Sequence, residues 1–157
     1  MPMRRRERAM SLKETEELLT EASAGRLGIS WRDEPYVVPL NFVYHGGKIY
    51  FHCAKEGKKL GYIDNNPRVC FEVSDFIGIK EDEKICQFGT YYRSVLVFGE
   101  AHVVEKMVEK TDAMRRLFEK YVKGGVKSVF EEKEIERVTV VEITIKKVTG
   151  KQHLPGA

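Results

Sequence analysis

The chain has 157 residues, 42% of them hydrophobic and 32% charged, the balance of a globular domain with enough chain to bury a proper core. Its 27 basic and 24 acidic residues leave a net charge of +3, without the basic, aromatic-studded stripe that a nucleic-acid partner requires. No apolar run reaches the roughly 20 residues of a membrane span, and three unpaired-looking cysteines argue against a disulfide framework or a zinc knuckle.

The opening MPMRRRERAM is basic and lacks an apolar signal core, so residues 1–10 are expected to form a solvated tail, with Arg4–Arg6 its dense cluster, on a cytoplasmic protein. Ser11-Leu12-Lys13-Glu14 fits a capping box, and the helix it starts is expected to run to about Ala24, with Gly25 ending it. Arg26–Ser30 reads as a strand and Trp31–Glu34 as its turn. Tyr36–Tyr44 and Lys48–Cys53 read as a hairpin around His45-Gly46-Gly47. Gly57–Asn65 is a short helix stopped by Asn66-Pro67, since proline disfavours helical angles in the residue before it.

Arg68–Asp75 is the next strand, and Phe76–Thr90, with mixed polarity and no period, reads as a long loop. Arg93–Glu105 is a long strand in which Gly99 marks a bend or bulge. Met107–Val122 carries a helical stripe through Ala113, Leu117, Phe118 and Tyr121, and Lys123-Gly124-Gly125 breaks it. Val138–Lys147 alternates as a final strand. About six strands joined mainly by tight turns, with about three peripheral helices, argue for a mainly β (α+β) antiparallel barrel in one domain rather than a doubly wound sheet.

The chemistry-bearing residues are sparse. Lys58 and Lys59 sit at a helix start directly after a strand, where free backbone N–H groups and the helix dipole add to their charge. They are either a phosphate clamp or a pair of solvated lysines. His52 alternates with Tyr50 on one strand face, as a core histidine or a functional one. Arg93-Ser94 opens an apolar strand, as edge chemistry or as the rim of a pocket. Asn41 is an oddity between Leu40 and Phe42, and a ligand edge rich in donors and acceptors is one way to satisfy it.

Cys53 and Cys70 read as buried thiols and Cys86 as a loop thiol. The four histidines form no metal motif, and neither GxGxxG nor a P-loop is present. No Ser-His-Asp set or paired carboxylates stand out either, so any hard chemistry belongs to a bound cofactor.

VVPLNFVYHGGKIYFHCAKEGKKL, NNPRVCFEV and YRSVLVFGEAHVV, in this order and spacing, resemble the flavin-binding split β-barrels related to pyridoxamine 5′-phosphate oxidase, closest to the subgroup of the 5-nitroimidazole reductases. The resemblance implies a six-stranded split barrel and a homodimer with two FMN sites at the subunit interface. It implies that Tyr36, Val37, Val38, Pro39, Leu40 and Asn41 run along the isoalloxazine and ribityl chain, with Phe51 and His52 following from the next strand. Lys58 and Lys59 would hold the phosphate, and Ser94, with the adjacent Arg93, would meet the cofactor. His52 would be the functional histidine near the flavin. The oxidases' C-terminal Arg/His motif has no match at Lys151-Gln152-His153-Leu154, so oxidation of pyridoxamine phosphate is not expected.

The expected activity is therefore FMN-dependent transfer of electrons to a small acceptor, a nitroaromatic or a quinone, with NAD(P)H as donor. A flavin-binding module without turnover is one alternative. A haem protein on the same barrel, with His52 or His102 as axial ligand, is another.

Overall fold

Alternating apolar residues and tight turns set the architecture. The computed structural model describes residues 5–84, 86–124 and 130–156, so Arg4 of the basic cluster and Gly125 of the helix-breaking pair lie outside the described residues. In chain order the elements are α1 (Leu12–Glu21), β1 (Gly25–Trp31), β2 (Glu34–Leu40), β3 (Val43–His45), β4 (Lys48–Cys53), α2 (Lys58–Asn65), β5 (Arg68–Lys80), β6 (Gly89–Val103), α3 (Met107–Tyr121), α4 (Glu132–Glu136) and β7 (Thr139–His153). The strands form one antiparallel sheet of seven, ordered β2-β1-β5-β6-β7-β4-β3. Its two edges, β2 and β3, are consecutive in the chain but not hydrogen-bonded to each other, so the barrel is split rather than closed.

The seventh strand arises because the expected Tyr36–Tyr44 run breaks at Asn41-Phe42. Phe42 turns fully into the core, edge-on to Phe71 at 4.9 Å between ring centroids, and the chain changes strand partner there. β2 pairs with β1 and β3 pairs with β4, so only Val43–His45 belongs to the expected hairpin. With no strand beside it, Phe42 is served by one distant side chain. The Tyr121 hydroxyl accepts from its N–H at 3.0 Å and donates to its C=O at 2.9 Å.

Other elements follow local chemistry. Ser11 caps α1 by accepting from the Glu14 N–H at 3.2 Å, while the Ser11 N–H donates to the Glu14 carboxylate at 2.7 Å. The helix stops at Ala22, and Gly25, expected as its terminator, opens β1 instead. Arg32 and Asp33 both have positive φ, 51° and 62°, and make a two-residue turn of the kind whose twist suits a hairpin. Gly99 lies at a bulge between β6 and β7, where a Cβ would come within 2.3 Å of the Thr144 carbonyl oxygen.

The expected loop 76–90 is shorter, because β5 continues to Lys80 and β6 begins at Gly89. This extension is a two-stranded ribbon without a core behind it. Phe76 is 70% exposed, and Ile77, Ile79 and Phe88 are exposed too, which is why no burial period marks it. β7 likewise runs past Lys147 to His153, and α4 is a helix additional to those expected. The basic N-terminal segment carries a 3-10 turn at Arg6–Arg8 and is tied to β7 by the Ala9–Lys151 bridge and by the Met10 N–H donating to the Gly150 C=O at 3.0 Å.

The main core lies inside the curved sheet, around Leu18, Leu27, Phe42, Phe51, Phe71 and Val97, all at 0% exposure. A second cluster under α3 joins Ala113, Met114 and Leu117 to Val104, Ile135 and Val140. Among the described residues no helix is long and apolar enough to cross a membrane.

Candidate functional site

β4 leaves the sheet at Cys53 and the chain turns through Gly57, whose φ of 137° suits a residue without Cβ, into α2. No side chain caps α2, and the Leu60 N–H donates to the Gly57 C=O at 3.1 Å, so the N–H groups of Lys58 and Lys59 and the positive end of the helix dipole are left for an external anion. The two lysines at this end have different surroundings. Lys58 donates to Glu34 at 2.6 Å and lies over the rings of Tyr36 and Tyr62, at 5.1 and 5.2 Å from their centroids. Tyr62 is held edge-on by Trp31 and Tyr36. The hydrogen bond to Glu34, and next the one to Tyr62, raise the Lys58 pKa above its ordinary value. The hydrogen bonds from Lys58 and then Tyr62 hold the Glu34 carboxyl below its own.

Lys59 makes no ion pair among the described residues and lies 5.5 Å over the Phe51 ring. Its charge reaches back to the end of β4. Partial desolvation first, and the Lys59 ammonium second, push the His52 imidazole below its ordinary pKa, so His52 is neutral at pH 7. Burial raises the Cys53 thiol, with Lys59 opposing.

His52 is exposed and therefore not a core histidine; its strand neighbours Ile49 and Phe51 are the buried ones. Phe51, expected along the cofactor, has its ring wholly in the core, beneath the Lys59 ammonium.

β2 is an edge strand, paired on one side only, which leaves backbone groups along its free edge open to a ligand. Tyr36, Val38 and Leu40 pack toward the core and are half-buried, while Val37 and Pro39 face outward and are exposed. Asn41 is exposed at the corner beside Tyr121 rather than buried within a strand, so the chain alone imposes no hydrogen-bond demand on it. Sheet register sets Val37, Gly28, Cys70 and Phe98 in one row, and these residues with Tyr36 and Arg68 line an open groove of about 400 Å³.

Arg93 and Ser94 are elsewhere. Two strands, β1 and β5, intervene between β2 and β6, a separation of roughly 14 Å at normal strand spacing. Arg93 is engaged by Asp75 at 2.6 Å and Glu21 at 3.6 Å, and the Ser94 hydroxyl donates to the Lys151 C=O at 3.4 Å. Within one chain, then, the candidate residues form two groups: Tyr36 with His52, Lys58 and Lys59, and Arg93 with Ser94.

Sequence reasoning missed Glu34, Tyr62 and Tyr121. Tyr62 carried a usable signal, because it follows Lys58 by four residues on α2 and so shares its face. Glu34 precedes Lys58 by 24 residues, and only the fold joins them. Cys53 and Cys70 are half-buried rather than fully buried, and Cys86 is exposed. Among the described residues no group of His, Cys, Asp and Glu could hold a metal ion.

Comparison with known proteins agrees with this architecture. A candidate 5-nitroimidazole antibiotic resistance protein from Bacteroides thetaiotaomicron superposes with a TM-score of 0.78 at 27% identity, over 91% of this chain and 85% of that one. The flavocytochrome Anf3 from Azotobacter vinelandii gives a TM-score of 0.85 at 21% identity, over 97% and 72% of the two chains. The FAD and haem binding protein from Mycobacterium smegmatis gives 0.84 at 16% identity, over 94% and 74%. At these last identities the likeness is one of fold.

A curated protein of Rhizobium meliloti (strain 1021), itself uncharacterised, is 25% identical over 84 residues, 54% of this chain, and the match spans about half (55%) of that relative's length. The family profile described as pyridoxamine 5′-phosphate oxidase matches residues 11–152, from the cap of α1 to the end of β7. The chain therefore belongs to the pyridoxamine 5′-phosphate oxidase family.

Proposed function

We propose that this protein binds FMN as a homodimer and passes electrons from NAD(P)H to a small acceptor such as a nitroaromatic or a quinone. The observation that carries the reading is the end of α2: the uncapped backbone N–H groups of Lys58 and Lys59, with the Lys59 ammonium, which has no counter-ion among the described residues. That donor set fits a phosphate monoester. Membership of the family and likeness to a candidate nitroimidazole resistance protein support the flavin and the acceptor class.

The flavin, when bound, would supply the two-electron chemistry. Lys59 and the first turn of α2 would hold its phosphate, with Lys58 alongside. The free edge of β2 from Tyr36 to Asn41 would offer backbone donors and acceptors to the ring and the ribityl chain. His52, neutral at pH 7, can hold a proton on one ring nitrogen and exchange it with a bound acceptor. Arg93 and Ser94 belong to the site through a second copy of the chain, which would bring its own β6 against the first copy's β2. This is the basis for the homodimer.

The absorbance spectrum of the purified protein, with release and identification of the cofactor, tests the reading. FMN with steady-state NAD(P)H oxidation in the presence of nitroaromatics or quinones is expected. Bound FMN without turnover would leave a flavin-binding module, and a Soret band would mark haem. Light scattering is expected to find a dimer.

A further inference from the structure

We infer that Glu34 is a resident counter-anion of the phosphate site, occupying Lys58 until a phosphate displaces it, and that it lowers the protein's selectivity for a phosphorylated flavin. This rests on the phosphate reading of the α2 end given above. The two lysines differ in a way their sequence does not suggest. The Lys58 ammonium gives one of its three donors to Glu34, 2.6 Å away, and Tyr62 engages it as well. Lys59 gives none to a carboxylate among the described residues.

Glu34 is not needed to position Lys58. The Tyr36 and Tyr62 rings already flank the ammonium, at 5.1 and 5.2 Å. Among the described residues only Lys58 and Tyr62 hold Glu34 itself, whose side chain is 61% exposed, at the start of β2 just beyond the Arg32-Asp33 turn. It is free to swing into water.

The charges decide what its presence does. Two lysines and Glu34 sum to one positive charge, whereas a phosphate monoester carries about −1.5 to −2 at neutral pH. A phosphate that reaches Lys58 either shares the ammonium with a carboxylate or expels it. Either course weakens phosphate binding, and neither affects a flavin that lacks the phosphate.

The test compares full-length wild type with Glu34→Gln by flavin fluorescence quenching, using FMN and riboflavin, in low salt and at about 0.5 M salt. Glu34→Gln is expected to bind FMN about five- to tenfold more tightly in low salt, the scale of removing one exposed pair and one like charge. Riboflavin affinity should be unchanged, and the gain should shrink in high salt. In a Lys58→Ala background the gain should also shrink, because the carboxylate then has no ammonium to withhold. If the wild type prefers FMN over riboflavin and Glu34→Gln leaves that preference unchanged or weaker, the counter-anion role is overturned while the phosphate site stands. If the wild type binds FMN and riboflavin equally, both fall together.

Discussion

Replacing Tyr121 by Phe removes one oxygen atom and tests how the split in the sheet is held. That hydroxyl is both acceptor and donor for the backbone of Phe42, at 3.0 and 2.9 Å, at the corner where the chain leaves β2 for β3. Phe42 is fully buried, so water cannot take over both bonds without opening the corner. Two neutral hydrogen bonds contribute about 1 kcal/mol each, and a buried backbone group left unpaired adds a further penalty, giving a loss of about 2–4 kcal/mol. For a domain of this size that lowers the melting temperature by roughly 5–15 °C. Urea unfolding at constant slope is the assay. Tyr44→Phe is the control, because among the described residues its hydroxyl meets only the exposed Glu16, at 3.1 Å, and its loss should cost under about 1 kcal/mol. A Tyr121→Phe protein within about 0.5 kcal/mol of wild type would refute the claim that one side chain substitutes for the missing strand partner.

Lys59→Ala should weaken FMN binding about 10- to 100-fold and Lys58→Ala by less, with riboflavin unaffected by either; equal losses would contradict the asymmetry between the two lysines. His52→Ala should slow acceptor reduction per bound FMN by about 10²–10⁴ with the cofactor retained. By NMR, His52 in the wild type should titrate below about 6.5, so its environment favours folding above that pH and loses this contribution as the pH falls through the folded-state value.

The Lys120 ammonium lies 4.0 Å over the Phe42 ring with no hydrogen-bond partner among the described residues, and burial pushes its pKa down to about 8. After discounting for partial exposure, Lys120→Met should stabilise the protein by about 1–2 kcal/mol at pH 7. Wild-type stability should rise as the pH climbs from about 8 toward the unfolded value, so the gain should fade over that window. A gain that is constant from pH 7 to about 10, or a destabilised variant, would count against a buried charge there.

What could be read from the chain was local. The Ser11–Glu14 cap, the Gly46-Gly47 turn, the Asn66-Pro67 stop and the bulge at Gly99 each depend on neighbours within a few residues, and each is where the sequence puts it. The break at Asn41-Phe42 was hidden because the group that stabilises it is 79 residues away. The ribbon formed by the far ends of β5 and β6 was hidden for another reason: strand periodicity reflects one buried face, and this ribbon has none. At the site, the lysines and His52 were visible as residue types in a telling position. Their states were not, since the Lys58–Glu34 pair and the exposure of His52 are products of tertiary packing.

The two free edges have a bearing on solubility. An unpaired strand edge is a template on which other chains can polymerise, and both terminal strands of this sheet present one. Two of the seven residues of β2, Pro35 and Pro39, are prolines, which sit on edge strands with the side that lacks an N–H turned away from the partner strand. β3 is three residues long, too short to seed a ladder. Strand addition at β2 and at β3 is therefore opposed by covalent structure rather than by a covering partner.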